Sequence, residues 1–257
     1  MTDILTQIAA NKRREVDAEE RIEGPVTFPA DLPDVTSMSR ALLTSPTGII
    51  AEFKRRSPSK GEIHAKAIAA DVIPAYEAAG AAACSVLTDT PFFGGAPSDL
   101  MVAASLVNIP LLRKDFVVSE RQILKARIYG ASAVLLIASL LTADEISRFT
   151  TTAHDCGLEV LVELHSEREL DRLTPAADMV GINNRDLTTF HTDPSLSERL
   201  AAMLPAEMVK VAESGLTNFG EVQRLRKLGF RGFLIGETFM KHDNPGEALS
   251  KFINGTL

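Results

Sequence analysis

Six charged or amide side chains stand at the ends of short apolar runs, with the types and spacing to do acid–base chemistry together. Glu52 and Lys54 interrupt "IIAEFK", Lys114 closes "LLRKD", Glu163 closes "VLVEL", and Asn183 and Arg185 alternate in "GINNRDL". Side chains of an extended strand alternate between faces. Glu52 therefore shares a face with Lys54, Lys114 with Leu112 and Phe116, and Asn183 with Arg185. Lysines, glutamates, an arginine and an asparagine on one mouth could pass protons and hold an anion. Each residue alone reads equally well as a salt-bridged strand end. As a set they outweigh that reading, because buried charge is costly unless it is paired or used. Arg113 and Asp115 have the opposite parity and read as structural partners of a neighbouring helix.

A second signal lies further on. "VAESGLTN" puts Ser214 and Gly215 between an apolar run and the next helical pattern, and "FLIGETF" puts Gly236 at the end of the last run. Glycine lets backbone approach an anion closely, and a helix start offers oriented NH groups. Both turns together favour a phosphorylated ligand. Other candidates are weaker. His64, His154, His165, His191 and His242 show no metal-ligand spacing, so no metal is expected. His165 and Glu169, four apart, read as a solvated helix pair, and "FFGGAP" reads as a flexible loop.

These residues need elements to position them. From Gly48 onward the chain alternates short β-type runs with longer amphipathic stretches: "GIIAEFK", "CSVLTD", "IPLLRKD", "SAVLLIAS", "LEVLVEL", "DMVGIN", "EMVKVAES" and "FRGFLIGE". Near-continuous apolar strands mark a parallel sheet covered on both faces. Glycines close several intervening helices, as in "EAAG", "RIYG", "HDCG" and "RKLG". Eight strands, each followed by a helix, predict a (β/α)8 barrel, an α/β fold whose active site forms at the C-terminal strand ends. An open doubly wound sheet is the competing architecture, but no Gly-rich turn follows "IIAEFK". Residues 48–257 are assigned to the barrel and 1–47 to an N-terminal helical extension, all one domain. In the extension, Ile4, Leu5, Ile8 and Val16 fall near one side of a helix, and a proline-rich break follows from Glu23 to Pro33.

Composition narrows the function. The chain has 257 residues, 45% hydrophobic, with a formal net charge of −7 and a pI near 5.3. An acidic chain argues against nucleic acid, despite the basic look of "KRRSPSK". The longest apolar run, Ala133 to Leu141, falls well short of the ~20 residues of a membrane helix. Two cysteines, Cys84 and Cys156, and no secretory signal place the chain in the cytoplasm. A monomer is expected, with oligomers left open.

In order and over nearly the whole chain, "ILTQIAANKRREV", "IIAEFKRRSPSKG", "SVLTD…FFGG", "LLRKDFVV", "VLVELHSE", "GINNRDL", "VAESGL" and "FLIGETFM" resemble the indole-3-glycerol phosphate synthase family. The resemblance implies ring closure, decarboxylation and dehydration of 1-(2-carboxyphenylamino)-1-deoxyribulose 5-phosphate, without a cofactor. It implies Lys114 as general acid, Glu163 as its acid/base partner, and Glu52 and Lys54 as paired catalytic charges. Ser57, Phe116, Leu135, Asn183, Arg185 and Glu213 match substrate-lining positions. Ser214, Gly215, Gly236 and the backbone at Glu237 match the phosphate site. Many relatives carry a small residue where this chain has Glu237, so its carboxylate is expected to point away; Pro97 is a second departure. Arg55 and Arg56 are expected to be solvated.

The chemistry agrees with that implication. Closure develops charge on a ketone oxygen that a lysine can protonate, the more readily if burial and a neighbouring Lys54 lower the Lys114 pKa. Loss of carbon dioxide suits a partly apolar pocket near Phe116, and dehydration suits a carboxylate–ammonium pair. Two alternatives remain: another phosphate-binding barrel such as phosphoribosylanthranilate isomerase, for which neither cysteine is well placed, and a non-catalytic phosphate-ligand barrel.

Overall fold

Eight apolar runs become eight strands. They are β1 Ile49–Phe53, β2 Ala83–Leu87, β3 Leu111–Lys114, β4 Ala133–Ile137, β5 Glu159–Leu164, β6 Met179–Asn183, β7 Val209–Glu213 and β8 Phe230–Ile235. The structure is a computed structural model and describes residues 4–29, 32–186 and 191–257. Every strand is parallel to its neighbours, and the sheet closes as β8 pairs with β1. The result is the expected (β/α)8 barrel. Thr2 and Asp3 of the expected first helix, and Leu187 of "GINNRDL", lie outside the described residues.

The strands are apolar on both faces because each face is buried. Outward-pointing side chains such as Ala51, Phe53, Val86, Leu136, Val160 and Ile182 pack under the surrounding helices. Inward-pointing Ile50, Leu112, Leu135, Leu161, Met179, Val211 and Leu234 fill the barrel axis. At ~25 cal/mol per Å² of apolar surface, these two layers supply the main favourable term for folding. The inward parity of six strands ends on a polar or small residue at the C-terminal rim, Glu52, Lys114, Glu163, Asn183, Glu213 and Gly236, while β2 and β4 end on Leu87 and Ile137. Register keeps them level, pairing Glu163 with Gly181 and Asn183 with Glu213.

The N-terminal extension closes both ends. Helix Ile4–Glu23 buries Ile8, Ala9, Lys12 and Val16 and sets Ile4, Leu5 and Ile8 into the rim of the mouth. Helix Met38–Thr44 is capped by Ser37, whose hydroxyl accepts from the Arg40 N–H. It packs Met38 and Leu42 into the inner cluster. Ser37 and Ser39 hydroxyls donate to Glu159 at the start of β5, at 2.6 and 2.7 Å.

Two segments depart from the expected rhythm. After β5 the chain forms a 3-10 helix, Glu167–Arg172, instead of an α-helix. Pro175 limits its length, and Glu169 folds back to accept the His165 N–H at 2.7 Å. After β2, "FFGGAP" is a helix end: Thr90–Phe93 closes on Gly94 (φ 65°), and Pro97 opens helix Pro97–Leu106.

Candidate active site

The C-terminal strand ends enclose a cavity of about 280 Å³, lined by all fourteen residues singled out from the sequence. Glu52, Lys54, Ser57, Lys114, Phe116, Leu135, Glu163, Asn183, Arg185 and Glu213 line its body. Ser214, Gly215, Gly236 and Glu237 line the side formed by the loops after β7 and β8.

At its centre Lys114 Nζ lies 3.1 Å from Glu163 Oε2 and 3.4 Å from Glu213 Oε2. Lys54 Nζ meets Glu52 Oε1 at 2.7 Å. Asn183 Nδ2 donates to Glu163 Oε1 at 3.3 Å, and Asn183 Oδ1 accepts the Arg185 N–H at 3.1 Å. Glu52, Glu163 and Glu213 are nearly fully buried, and the charges of Glu163 and Glu213 are governed by each other and by Lys114. Burial opposes the Lys114 ammonium, but Glu163, Glu213 and Glu52 outweigh it and hold its pKa above the ordinary lysine range. That corrects the expectation of a lowered pKa: Lys54 is paired with Glu52, and the groups that dominate around Lys114 are carboxylates.

The two glutamates beside Lys114 are driven apart. Burial raises both, but Lys114 and His165 bring Glu163 well below the usual carboxylate range. Burial and the Glu163 charge push Glu213 well above it. Of the two, Glu163 favours its charged form beside Lys114, while Glu213 favours keeping its proton. Gly181 makes room for Glu213: a Cβ on Gly181 would sit 2.3 Å from Glu213 Oε1.

Beside the acid–base cluster is an aromatic wall. Phe93 and Phe116 stack with ring centroids 5.7 Å apart, next to Leu135 and Ile8. At the opposite side Ser214 adopts φ 63°, the only non-glycine with positive φ among the described residues, and Gly215 follows at φ 80°. Such strain concentrates at functional sites, and successive backbone NH groups in these conformations form an anion-binding concavity. Gly236 opens helix Glu237–Met240. A Cβ there would lie 2.5 Å from Glu52 Oε1. Thr238 Oγ1 donates to the Leu216 carbonyl at 3.0 Å, tying the two loops together.

Several side chains sit differently from expectation. The Glu237 carboxylate does not turn away; it reaches Lys60 Nζ at 3.2 Å and Arg185 Nη2 at 3.5 Å. Arg185 also donates to Ser59 Oγ at 2.8 Å, so three loops meet over the mouth. Arg55 is not solvated: its guanidinium grips Asp99 in a bidentate pair at 2.6 and 2.8 Å and covers the Phe53 ring. Arg56 donates to the Thr90 and Pro91 carbonyls. His165 is no solvated helix pair either, because its Nε2 lies 3.0 Å from Glu163 Oε1.

Sequence reasoning missed Lys12. The residue is 6% exposed, and its ammonium sits among Asp89 (2.9 Å), Asp115 (3.1 Å) and Glu15 (2.9 Å). Asp115 also pairs with Arg113 at 2.9 Å; each of the two meets a helix as expected, Asp115 through Lys12 and Arg113 through the Gln122 carbonyl, and they pair with one another as well. This buried cluster pins the N-terminal helix to the ends of β2 and β3, beside the aromatic wall. The available signal was a lysine on the i, i+4 stripe of Ile8 and Val16.

Among the described residues no group of histidine, cysteine, aspartate and glutamate is arranged to hold a metal. Nor is any helix among them long and apolar enough to cross a membrane.

Comparison with known proteins gives a consistent result. The family model described as indole-3-glycerol phosphate synthase matches residues 5–252. The chain is 51% identical over 256 residues to the indole-3-glycerol phosphate synthase of Bacteroides thetaiotaomicron, covering 98% of both chains. It is 43% identical over 255 residues to the synthase of Neisseria meningitidis, covering 95% of this chain and 96% of that one. Among solved structures, a chain of the tryptophan synthase complex of Pyrococcus furiosus superposes with a TM-score of 0.61 at 12% identity. That match covers 82% of this chain and 97% of the other, and it speaks for the barrel alone.

Proposed function

The chain belongs to the indole-3-glycerol phosphate synthase family, and on that premise we propose that the cluster around Lys114 closes the indole ring of 1-(2-carboxyphenylamino)-1-deoxyribulose 5-phosphate. The observation that carries the assignment is a buried ammonium 3.1 Å from Glu163 and 3.4 Å from Glu213, in a cavity that also has an aromatic wall and an anion-binding turn.

The anilino ring rests against Phe93 and Phe116, and the phosphate takes the NH groups around Ser214, Gly215, Gly236 and Glu237. Ser57, Leu135, Asn183 and Arg185 line the path between them. The ring carbon bearing the carboxylate attacks the ketone carbon, and Lys114 gives its proton to the ketone oxygen. Its raised pKa keeps it charged and ready for that step at neutral pH. Carbon dioxide then leaves, and the electrons of its bond restore the aromatic ring. The apolar wall favours this loss by stripping water from the carboxylate.

Lys114 is then recharged by the one proton drawn from solution, and dehydration follows. Glu163 takes a proton from the new ring, and the hydroxyl departs as water on a proton from the recharged Lys114; the proton on Glu163 passes back to Lys114 and restores both groups. Glu52 and Lys54 form the second charge pair at the mouth and present an ammonium to the anionic substrate. Because the substrate carboxylate leaves as neutral carbon dioxide, one proton is taken from solution per turnover, and no cofactor is called for. In this reading the protein works in the cytoplasm as a monomer. Cys84 and Cys156 are free thiols, and every group named here comes from one chain.

The test is direct. Purified protein is given the carboxyphenylamino substrate and indole fluorescence is followed; the chain has no tryptophan to mask it. Product formation is expected. A folded sample that makes none overturns the assignment.

A further inference from the structure

Glu163 has two oxygens in two environments. Oε2 faces Lys114 across 3.1 Å. Oε1 accepts from Asn183 Nδ2 at 3.3 Å and lies 3.0 Å from His165 Nε2. His165 follows Glu163 by two residues, so strand parity brings it to the same face. It does not line the cavity, and so stands behind the carboxylate. On its other side stands Glu169, whose Oε2 fixes the His165 backbone by accepting its N–H at 2.7 Å and lies 4.0 Å from Nδ1.

The histidine side chain is 9% exposed, and both ring nitrogens are buried without an aligned hydrogen bond among the described residues. Leaving such a group unsatisfied costs ~1–3 kcal/mol. Hydrogen bonds of catalytic groups are often poorly aligned until substrate tightens them. Nε2 already has the distance, and needs only a small rotation of either side chain to gain the angle.

We propose that His165 is a positioning residue for Glu163: it holds Oε1 from behind, so that Oε2 alone exchanges protons with Lys114 and substrate. Without it Asn183 Nδ2 is what holds Oε1 among the described residues at 3.3 Å, and the carboxylate is freer to turn. The inference rests on the reading of Glu163 as the acid/base partner.

Steady-state turnover is measured for His165→Leu, His165→Gln and Glu163→Gln, with urea midpoints for each. A misplacement of ~1 Å costs ~100-fold in rate, so His165→Leu is expected to lower kcat about 10- to 100-fold with KM within about twofold. Glutamine can reach Oε1 with its amide nitrogen, so His165→Gln is expected to recover most of the loss, to within about threefold of wild type. Should leucine lower the urea midpoint, His165→Asn, polar but too short to reach Oε1, must show the same loss of kcat. Wild-type kcat in His165→Leu, or a loss that glutamine does not rescue, overturns the inference. Glu163→Gln separates the two readings: if it is inactive while His165→Leu is normal, only the inference fails. Should Glu163→Gln itself turn over normally, the acid/base reading fails with it.

Discussion

Replacing Lys12 with methionine keeps the four-atom stem and removes only the charge. The buried stripe of Ile8, Lys12 and Val16 remains filled, so the variant isolates the electrostatic bond between the N-terminal helix and the barrel. Lys12 faces Asp89 at 2.9 Å and Asp115 at 3.1 Å. Asp115 retains Arg113 at 2.9 Å, but Asp89, with 0% side-chain exposure, loses its cation. Breaking a buried pair by removing one partner costs ~3–5 kcal/mol, and the surviving Arg113 contact places the expected loss near the lower end. With a urea m-value of ~3 kcal/mol/M, a loss of ~3 kcal/mol moves the unfolding midpoint by ~1 M.

The same change should be felt by the substrate, because Ile4, Leu5 and Ile8 of that helix line the cavity. KM should rise, while kcat changes less, since Lys12 pairs with Glu15, Asp89 and Asp115 and with none of the proton-transfer groups. Asp89→Asn provides the second edge of a double-mutant cycle. If the pair carries the effect, the double variant is less destabilised than the sum of the singles. A Lys12→Met midpoint within ~0.3 M of wild type, a shift of ~1 kcal/mol at that m-value, would refute the reasoning.

Three further outcomes are expected. Gly181→Ala drives a Cβ to 2.3 Å from Glu213 Oε1; activity should fall while stability drops by ~1–3 kcal/mol, the usual cost of overpacking. Stability should largely return when Glu213→Ala is added, and an unchanged Gly181→Ala enzyme would contradict the clash. Glu213, with its carboxyl pushed up by burial and by Glu163, should tolerate Gln far better than Glu163, where Gln should cost ~100-fold or more in kcat; equal losses at both positions would argue against their opposite charge states. Burial opposes ionisation of Asp115, but Arg113 and Lys12 hold its pKa down from 3.8 to about 2. A depressed carboxylate stabilises the fold above its ordinary pKa, and that stability is lost as pH falls through the folded one. Wild type should therefore lose ~2 kcal/mol more than Asp115→Asn between pH 4 and 2, read from urea midpoints.

The parts of this molecule legible in its sequence are those set by local rules. Strand parity placed Glu52, Lys114, Glu163 and Asn183 inside the barrel, because alternation depends only on a residue's neighbours. The turns at Ser214 and Gly236 were legible for the same reason. Pairings between distant segments were not. Arg55 reaches Asp99 and Lys12 reaches Asp89 and Asp115 only after the barrel brings those loops together. The direction of the Lys114 pKa depends on Glu163 and Glu213, which other strands bring against it, and was read the wrong way from Lys54. The helix expected after β5 became a 3-10 turn because Glu169 bonds backward to His165, and that same fold-back carried His165 out of solvent and against Glu163.

The central claim is that Lys114 is the acid of ring closure, and Lys114→Ala tests it most directly. The variant is compared with wild type for turnover by indole fluorescence and for binding of indole-3-glycerol phosphate by titration. The account expects turnover to fall by ~1,000-fold or more, with binding kept within a few-fold by the turns at Ser214 and Gly236. Near-normal turnover in the folded variant would contradict it.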